Sequence, residues 1–147
     1  MISASVLDQL DEMIAHLEGR PSETLAIRSA KPSGFAVGAD IAEFREPGSA
    51  EEVEKRLRRA HAVADRLAGA RFRTVAVIHG QCLGAGLELA LCCDARIARS
   101  DASLGFPEVM LGLHPGLGGT ARATALIDPT EAMTMMRRVA RKNPSSR

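Results

Sequence analysis

"RTVAVIHGQCLGAGLELALCCDARIA", residues 73–98, passes from a β-branched apolar stretch through a glycine-rich turn into an apolar run, and then into a second short apolar segment. "RTVAVIHG" (73–80) reads as a strand, because Val and Ile dominate it and Gly80 closes it. The apolar run from about Leu83 to Cys93 reads as a helix, and "ARIAR" (95–99) as another strand candidate. This order predicts an α/β domain in which strands lie buried between helices. One carboxylate, Glu88, stands inside the apolar helix, and its presence there needs a reason.

Upstream, Val6, Leu7, Leu10, Met13, Ile14 and Leu17 recur at helical spacing, and Gly19 and Pro21 end that helix. "TLAIRSA" (24–30) reads as a short strand of buried character before the turn-forming "KPSG". "ADIAEF" (39–44) predicts a short helix, with Asp40 at its N-cap or in its first turn. Ser49-Ala50-Glu51-Glu52 is a capping box opening a helix to about Ala68, whose early glutamates and later Arg56, Arg58 and Arg59 suit the helix dipole and solvent. Downstream, "LGFPEVMLGLHPGLGGTAR" (104–122) reads as a loop that shapes a surface or pocket. "GGTARATALI" and "PTEAMTMMRRVA" predict short helices, and residues 137–147, with five positive charges, a frayed basic tail. The chain shows no internal repeat.

The 147 residues, 46% hydrophobic and 25% charged, suit one ordinary globular domain. With 19 Lys+Arg against 18 Asp+Glu, the charge balance points to neither nucleic acid nor membrane as a partner. Trp and Tyr are absent, which removes the stacking platforms of single-strand binding. No signal peptide pattern and no apolar run near about 18 residues is present, so the expected location is cytoplasmic. Cys82, Cys92 and Cys93 form neither a disulfide framework nor a metal spacing, and no structural metal is expected.

The glycine-rich turn admits three chemistries. Phosphate binding fits poorly: Leu89 occupies the third glycine place of a dinucleotide fingerprint, and no Gly-Lys-Ser/Thr triplet follows Gly80. A nucleophile elbow, "GQCLG" (80–84), would use Cys82 with Asp101 and His114, but these follow too closely to leave room for further strands, and Cys82 reads better as a small buried hydrophobe. The third chemistry uses the turn's backbone N–H groups to meet an oxygen that becomes negative during reaction. Gly84, Ala85 and Gly86 would let a ligand carbonyl approach closely, with Glu88 one turn further on. On pattern alone, Glu88 could equally be an exposed first-turn glutamate.

"GADIAEF" (38–44), "HGQCLGAGLELALCCDARIA" (79–98) and "GFPEVMLGLHPGLGGTAR" (105–122) resemble, in order and separation, the signature blocks of the enoyl-CoA hydratase/isomerase, or crotonase, superfamily. The hydratase region of fatty-acid β-oxidation enzymes, including multifunctional ones, is the nearest in flavour. The similarity covers about residues 3–136. It implies a crotonase-like ββα-superhelix α/β core, incomplete because the usual first hairpin and the C-terminal helical trimerisation region are not matched.

Carried over residue by residue, the resemblance implies oxyanion-hole amides at Ala39 and Ala85 and catalytic carboxylates at Glu88 and Glu108. The implied reaction is addition of water to a trans-2-enoyl-CoA thioester, with Glu88 acting on water and Glu108 on the α-proton. Substrate contacts fall on Lys31, Val37, Gly38, Asp40, Ile41, Gly84, Pro107, Pro115 and Gly116, with Lys31 meeting a CoA phosphate and Pro115 and Gly116 shaping the wall opposite the glutamates. No cofactor is implied, since coenzyme A arrives as part of the substrate. The family expectation is a homotrimer or hexamer. Δ3-Δ2 enoyl-CoA isomerisation, another acyl-CoA transformation, and a non-catalytic fragment associating with homologues remain alternative readings.

Overall fold

The chain alternates between two parallel sheets. In the computed structural model, which describes residues 1–20, 23–40 and 49–137, β1 (Thr24–Arg28), β3 (Arg73–Ile78) and β5 (Ala95–Ala98) form one sheet in the order β1-β3-β5. β2 (Gly34–Val37), β4 (Gln81–Leu83) and β6 (Ser103–Gly105) form the second, in the order β2-β4-β6. All pairings are parallel. Parallel neighbours require a crossover, and α2 (Ala50–Ala68) and α3 (Ala85–Leu91) supply the two that the sheets need. The repeating unit is therefore strand, strand, helix.

The second sheet is absent from the sequence reading. Its strands are three or four residues long, too short to show a period of two, and "GFAV" and "QCL" merge into the glycine turns beside them. β4 also takes Leu83, the first residue assigned to the helix. Leu83 pairs with Val37 and Gly105, and Gly84 has φ 57°, which halts the helix N-terminally so that α3 runs only from Ala85 to Leu91. At the other end of α3 the Arg96 guanidinium donates to the Cys93 carbonyl at 2.7 Å.

α1 (Ala4–Leu17) is capped by the Ser3 hydroxyl, which accepts from the Val6 amide. Its buried stripe, Leu7, Leu10, Ile14 and Leu17, joins one core with Ala60, Val63, Ala64 and Leu67 of α2 and with Phe72, Ala76 and Ile78. The capping box forms as expected: the Glu52 amide donates to Ser49 Oγ and the Ser49 amide to Glu52 Oε2. Across the two helices, Asp11 accepts from Arg59 at 2.9 Å and from Arg66.

β1 and β3 alternate between a covered and an open face, whereas in β4 Cys82 and Leu83, on opposite faces, are both buried. Along β3, Thr74, Ala76 and Ile78 are buried while Arg73 and Val77 are exposed. β1 differs from the fully buried strand expected: Leu25 and Ile27 pack inward and Thr24, Ala26 and Arg28 face out. An alternating strand with small or apolar outward residues looks continuous in sequence. At the start of β3, Asp94 Oδ2 accepts from the Thr74 amide (2.7 Å) and hydroxyl (3.0 Å), and Thr74 Oγ1 accepts from the Asp94 amide (2.8 Å). This reciprocal clasp ties the end of the α3 crossover to β3.

The passage from first sheet to second is made at nested corners. β3 and β4 are separated only by His79 and Gly80, and Gly80 (φ 53°) lies against the Ser33 carbonyl of the β1–β2 connection. A Cβ on Gly34 would overlap the backbone of Gln81. His79 Nε2 donates to the Lys31 carbonyl at 2.8 Å. α4 (Gly119–Leu126) packs on α3, and α5 (Pro129–Arg137) packs on β6 and the 3₁₀ helix at Pro107–Leu111. The helix expected at 39–44 does not begin there, because Ala39 forms a parallel bridge with Ile2 and the Asp40 amide donates to the Ile2 carbonyl; residues 41–44 and the basic tail from 138 onward lie outside the described residues. No helix among those described is long and apolar enough to cross a membrane.

Candidate active site

The three strands of the second sheet end side by side, and each hands over to a residue singled out in the sequence. Val37 and Leu83 are register partners, so Gly38 and Gly84 emerge as neighbours. Both have positive φ, 62° and 57°, and a Cβ on Gly84 would lie 3.3 Å from Gly38 Cα. Leu83 also pairs with Gly105, after which Phe106, Pro107 and Glu108 leave β6 into the 3₁₀ helix. The carboxyl ends of parallel strands are where α/β folds place ligand-binding residues.

Two backbone amides follow the paired glycines. Ile2 donates to the Gly38 carbonyl and accepts from the Asp40 amide, both at 2.9 Å, so the Ala39 N–H between them points away from that ladder. Ala85 opens α3, and a first-turn amide has no carbonyl four residues earlier within its helix. Gly86 lets α3 sit directly on β2, since any Cβ there would overlap Ala36.

Glu88 is not the exposed glutamate that its pattern allowed: it is 1% accessible. Its Oε1 accepts from the Leu117 amide at 2.7 Å and the Gly119 amide at 2.8 Å. Its Oε2 has no protein donor among the described residues. Gly119 has no room for a side chain, because a Cβ there would lie 2.6 Å from Glu88 Cγ and 2.8 Å from Phe106 Cε1. The Cys92 thiol donates to the Glu88 carbonyl at 3.3 Å.

Glu108 is half-buried, and its Oε1 faces Gly84 where a Cβ would lie 2.5 Å away. Its Oε2 is buried without a hydrogen-bond partner among the described residues. Burial pushes this carboxyl above the usual carboxylate range, and the nearby Glu88 charge pushes in the same direction. A carboxyl so placed holds a proton more tightly than one in water.

The remaining predicted residues fall in two groups. Lys31 and Val37 line a cavity of about 390 Å³ with Met1, Ser33, Ala36 and Leu89, and Pro107 opens the 3₁₀ helix beside Glu108. Asp40 follows Ala39 directly, and Ile41 lies outside the described residues. Gly116 is exposed, with open space where a side chain would be, and Pro115 accepts from the His114 ring through its carbonyl. The residues that touch Glu88 from this segment are Leu117 and Gly119, one to three positions beyond those expected. A Gly118-Gly119 pair opening a helix was the available signal, since it permits close backbone approach.

The cysteine-nucleophile arrangement does not form. Cys82 is fully buried with its thiol pushed up to about 12 by desolvation, Asp101 is exposed and paired with Arg99, and His114 is exposed. A thiol that stays protonated is no nucleophile.

Two interleaved parallel sheets joined by strand–strand–helix turns, with two carboxylates at the ends of the second sheet, make this a crotonase-like α/β core. The chain belongs to the enoyl-CoA hydratase/isomerase family, whose description it matches over residues 1–145. Among curated proteins it is 45% identical over 124 residues to the fatty acid oxidation complex subunit alpha of Aliivibrio fischeri, covering 83% of this chain and 17% of that protein. The subunit of the same name from Vibrio cholerae is 38% identical over 139 residues, covering 92% and 20%. Among solved structures, Pseudomonas aeruginosa DspI superposes with a TM-score of 0.85 at 31% identity, covering 96% of this chain and 58% of that one. Enoyl-CoA hydratase from Bacillus anthracis superposes at 0.84 with 30% identity, covering 95% and 55%. The chain thus spans a fifth or less of these curated relatives and a little over half of these solved structures.

Proposed function

We propose that the chain carries an enoyl-CoA hydratase site, adding water across the double bond of a trans-2-enoyl-CoA thioester. The observation that carries the reading is a pair of interacting carboxyls beside the Gly84–Ala85 turn, Glu88 in the first turn of the helix that Ala85 opens and Glu108 with its Oε1 against Gly84. The Ala39 and Ala85 amides meet the thioester oxygen and stabilise its enolate form, drawing electrons from the β-carbon. Glu88, anchored through Oε1 by two backbone amides, offers Oε2 to the attacking water. Water oxygen bonds to Cβ, its proton passes to Glu88, and the electron pair of the double bond moves onto the thioester. Glu108 delivers its proton to Cα, and the two carboxyls exchange protons with solvent between turnovers. The unpartnered Oε2 and the raised pKa of Glu108 support the donor role.

Substrate contacts follow the same frame. Gly38, Gly84 and Pro107 border the thioester, and the cavity at Val37 and Lys31 takes the CoA portion, with Lys31 meeting a phosphate. Asp40, Ile41, Pro115 and Gly116 complete the predicted contacts. The test is turnover of crotonyl-CoA by the purified chain, followed as loss of the conjugated double bond. Loss of conjugation supports the reading, and a folded chain that leaves crotonyl-CoA intact sinks it. Conversion of a 3-enoyl thioester to the conjugated isomer, without hydration, would assign isomerisation instead.

A further inference from the structure

Three peptide units link Gly116 to Gly119. The first and third donate their N–H groups, from Leu117 and Gly119, to Glu88 Oε1. The middle unit turns its carbonyl, Leu117 O, the other way, where it accepts from Arg122 Nη1 at 2.5 Å. The same guanidinium donates to Asp65 Oδ1 of α2 at 2.7 Å. Arg122 is one turn into α4, with a side chain 20% exposed, and it fills the space beside Gly118, where a Cβ would meet Nη1 at 2.5 Å. Gly118 itself has φ 83°, and no side chain caps the helix that follows.

From this we infer that Arg122 is a positioning residue for Glu88, acting through the Leu117–Gly118–Gly119 turn. A segment carrying glycines at 116, 118 and 119 has wide freedom about its backbone bonds, and nothing in its own chemistry keeps two amides aimed at one oxygen. Fixing the carbonyl between the two donors orients both neighbouring peptide planes at once. The charge on Arg122 strengthens that hydrogen bond. Once the middle peptide is free to rotate, Glu88 keeps its burial and loses its anchor, so Oε2 no longer holds one direction.

The inference rests on the hydratase reading for its catalytic consequence and on the backbone alone for its geometry, so the experiment reads both. Amide hydrogen exchange at Leu117 and Gly119, and crotonyl-CoA turnover, are measured in the full chain and in Arg122→Met, Arg122→Gln and Asp65→Asn. Arg122→Met keeps the bulk and removes every donor. It is expected to speed exchange at Leu117 and Gly119 at least about tenfold and to lower kcat by about tenfold with KM little changed, the rate equivalent of one charge-assisted hydrogen bond. Arg122→Gln keeps a donor for Leu117 O and restores protection in part. Asp65→Asn, which removes only the ion pair, leaves both readouts near wild type.

Full protection of Leu117 and Gly119 in Arg122→Met overturns the inference, as does an equal loss in Asp65→Asn, which would make the ion pair to α2 the cause. If Arg122→Met does not fold, the other two variants decide: faster exchange in Arg122→Gln than in Asp65→Asn supports the role, and exchange equal to wild type in both, or equally fast in both, overturns it. A wild-type chain without turnover sinks the hydratase reading, while the exchange rates still decide the role of Arg122.

Discussion

The Glu88 and Glu108 carboxyls lie near enough to interact, and they differ in what surrounds their oxygens. One oxygen of Glu88 is claimed by two amides, whereas Glu108 keeps a buried oxygen with no partner among the described residues. On the proposed mechanism both groups act in the transition state, so Glu88→Gln and Glu108→Gln should each lower kcat by orders of magnitude with modest change in KM; unchanged turnover in either would remove it from the mechanism. Glu108 carries a second expectation. Its pKa is raised by burial, so between the ordinary carboxylate value and the raised one the folded protein holds a proton that the unfolded chain has released. Stability therefore falls as pH rises through that window, and Glu108→Gln removes the loss. Thermal melts should show the variant at or above wild type at neutral pH and close to it near about pH 4. A variant melting well below wild type at neutral pH would refute this. Gly84→Ala combines a strained positive φ with displacement of Glu108, so it should cost about 1–3 kcal/mol in denaturant titrations as well as lowering kcat.

Among the elements, those that sequence reveals are the ones long enough to repeat their pattern. α1 and α2 show their stripes and, in α2, a capping box, and β3 shows its run of Val and Ile. β2, β4 and β6 are set by pairing between segments far apart in the chain, and no local property of "GFAV", "QCL" or "SLG" announces that. The site residues could be found because their motifs lie at the ends of those hidden strands. The partners of Glu88 are backbone amides with no letter of their own, and only the Gly118-Gly119 pair hinted at them. The Thr74–Asp94 clasp belongs to this scale. Thr74→Val keeps the shape and leaves the Asp94 carboxylate short of one donor and the Asp94 amide short of its acceptor. It should cost about 1–3 kcal/mol, read as a lower urea midpoint with an unchanged slope. A midpoint equal to wild type would show the clasp to be dispensable.

For the molecule as a whole, binding and chemistry can be separated. Butyryl-CoA has no double bond to hydrate, so it tests, without turnover, the proposed thioester contacts at the cavity of Lys31 and Val37 and at the amides of Ala39 and Ala85. At about 100 times its Kd it should stabilise the fold by about 2.7 kcal/mol, and Glu108→Gln should respond as wild type does. No shift in melting temperature at saturating ligand would tell against CoA-thioester binding. The nested corners also bear on how this architecture can change over evolutionary time. Five residues separate β1 from β2 and four separate β5 from β6, but only His79 and Gly80 separate β3 from β4. An added residue in either longer connection can bulge into solvent. One added between Ile78 and Gln81 would shift β4 against both of its neighbours, and with it the point where Ala85 begins its helix, so natural length variation should accumulate at the outer corners and spare the middle one.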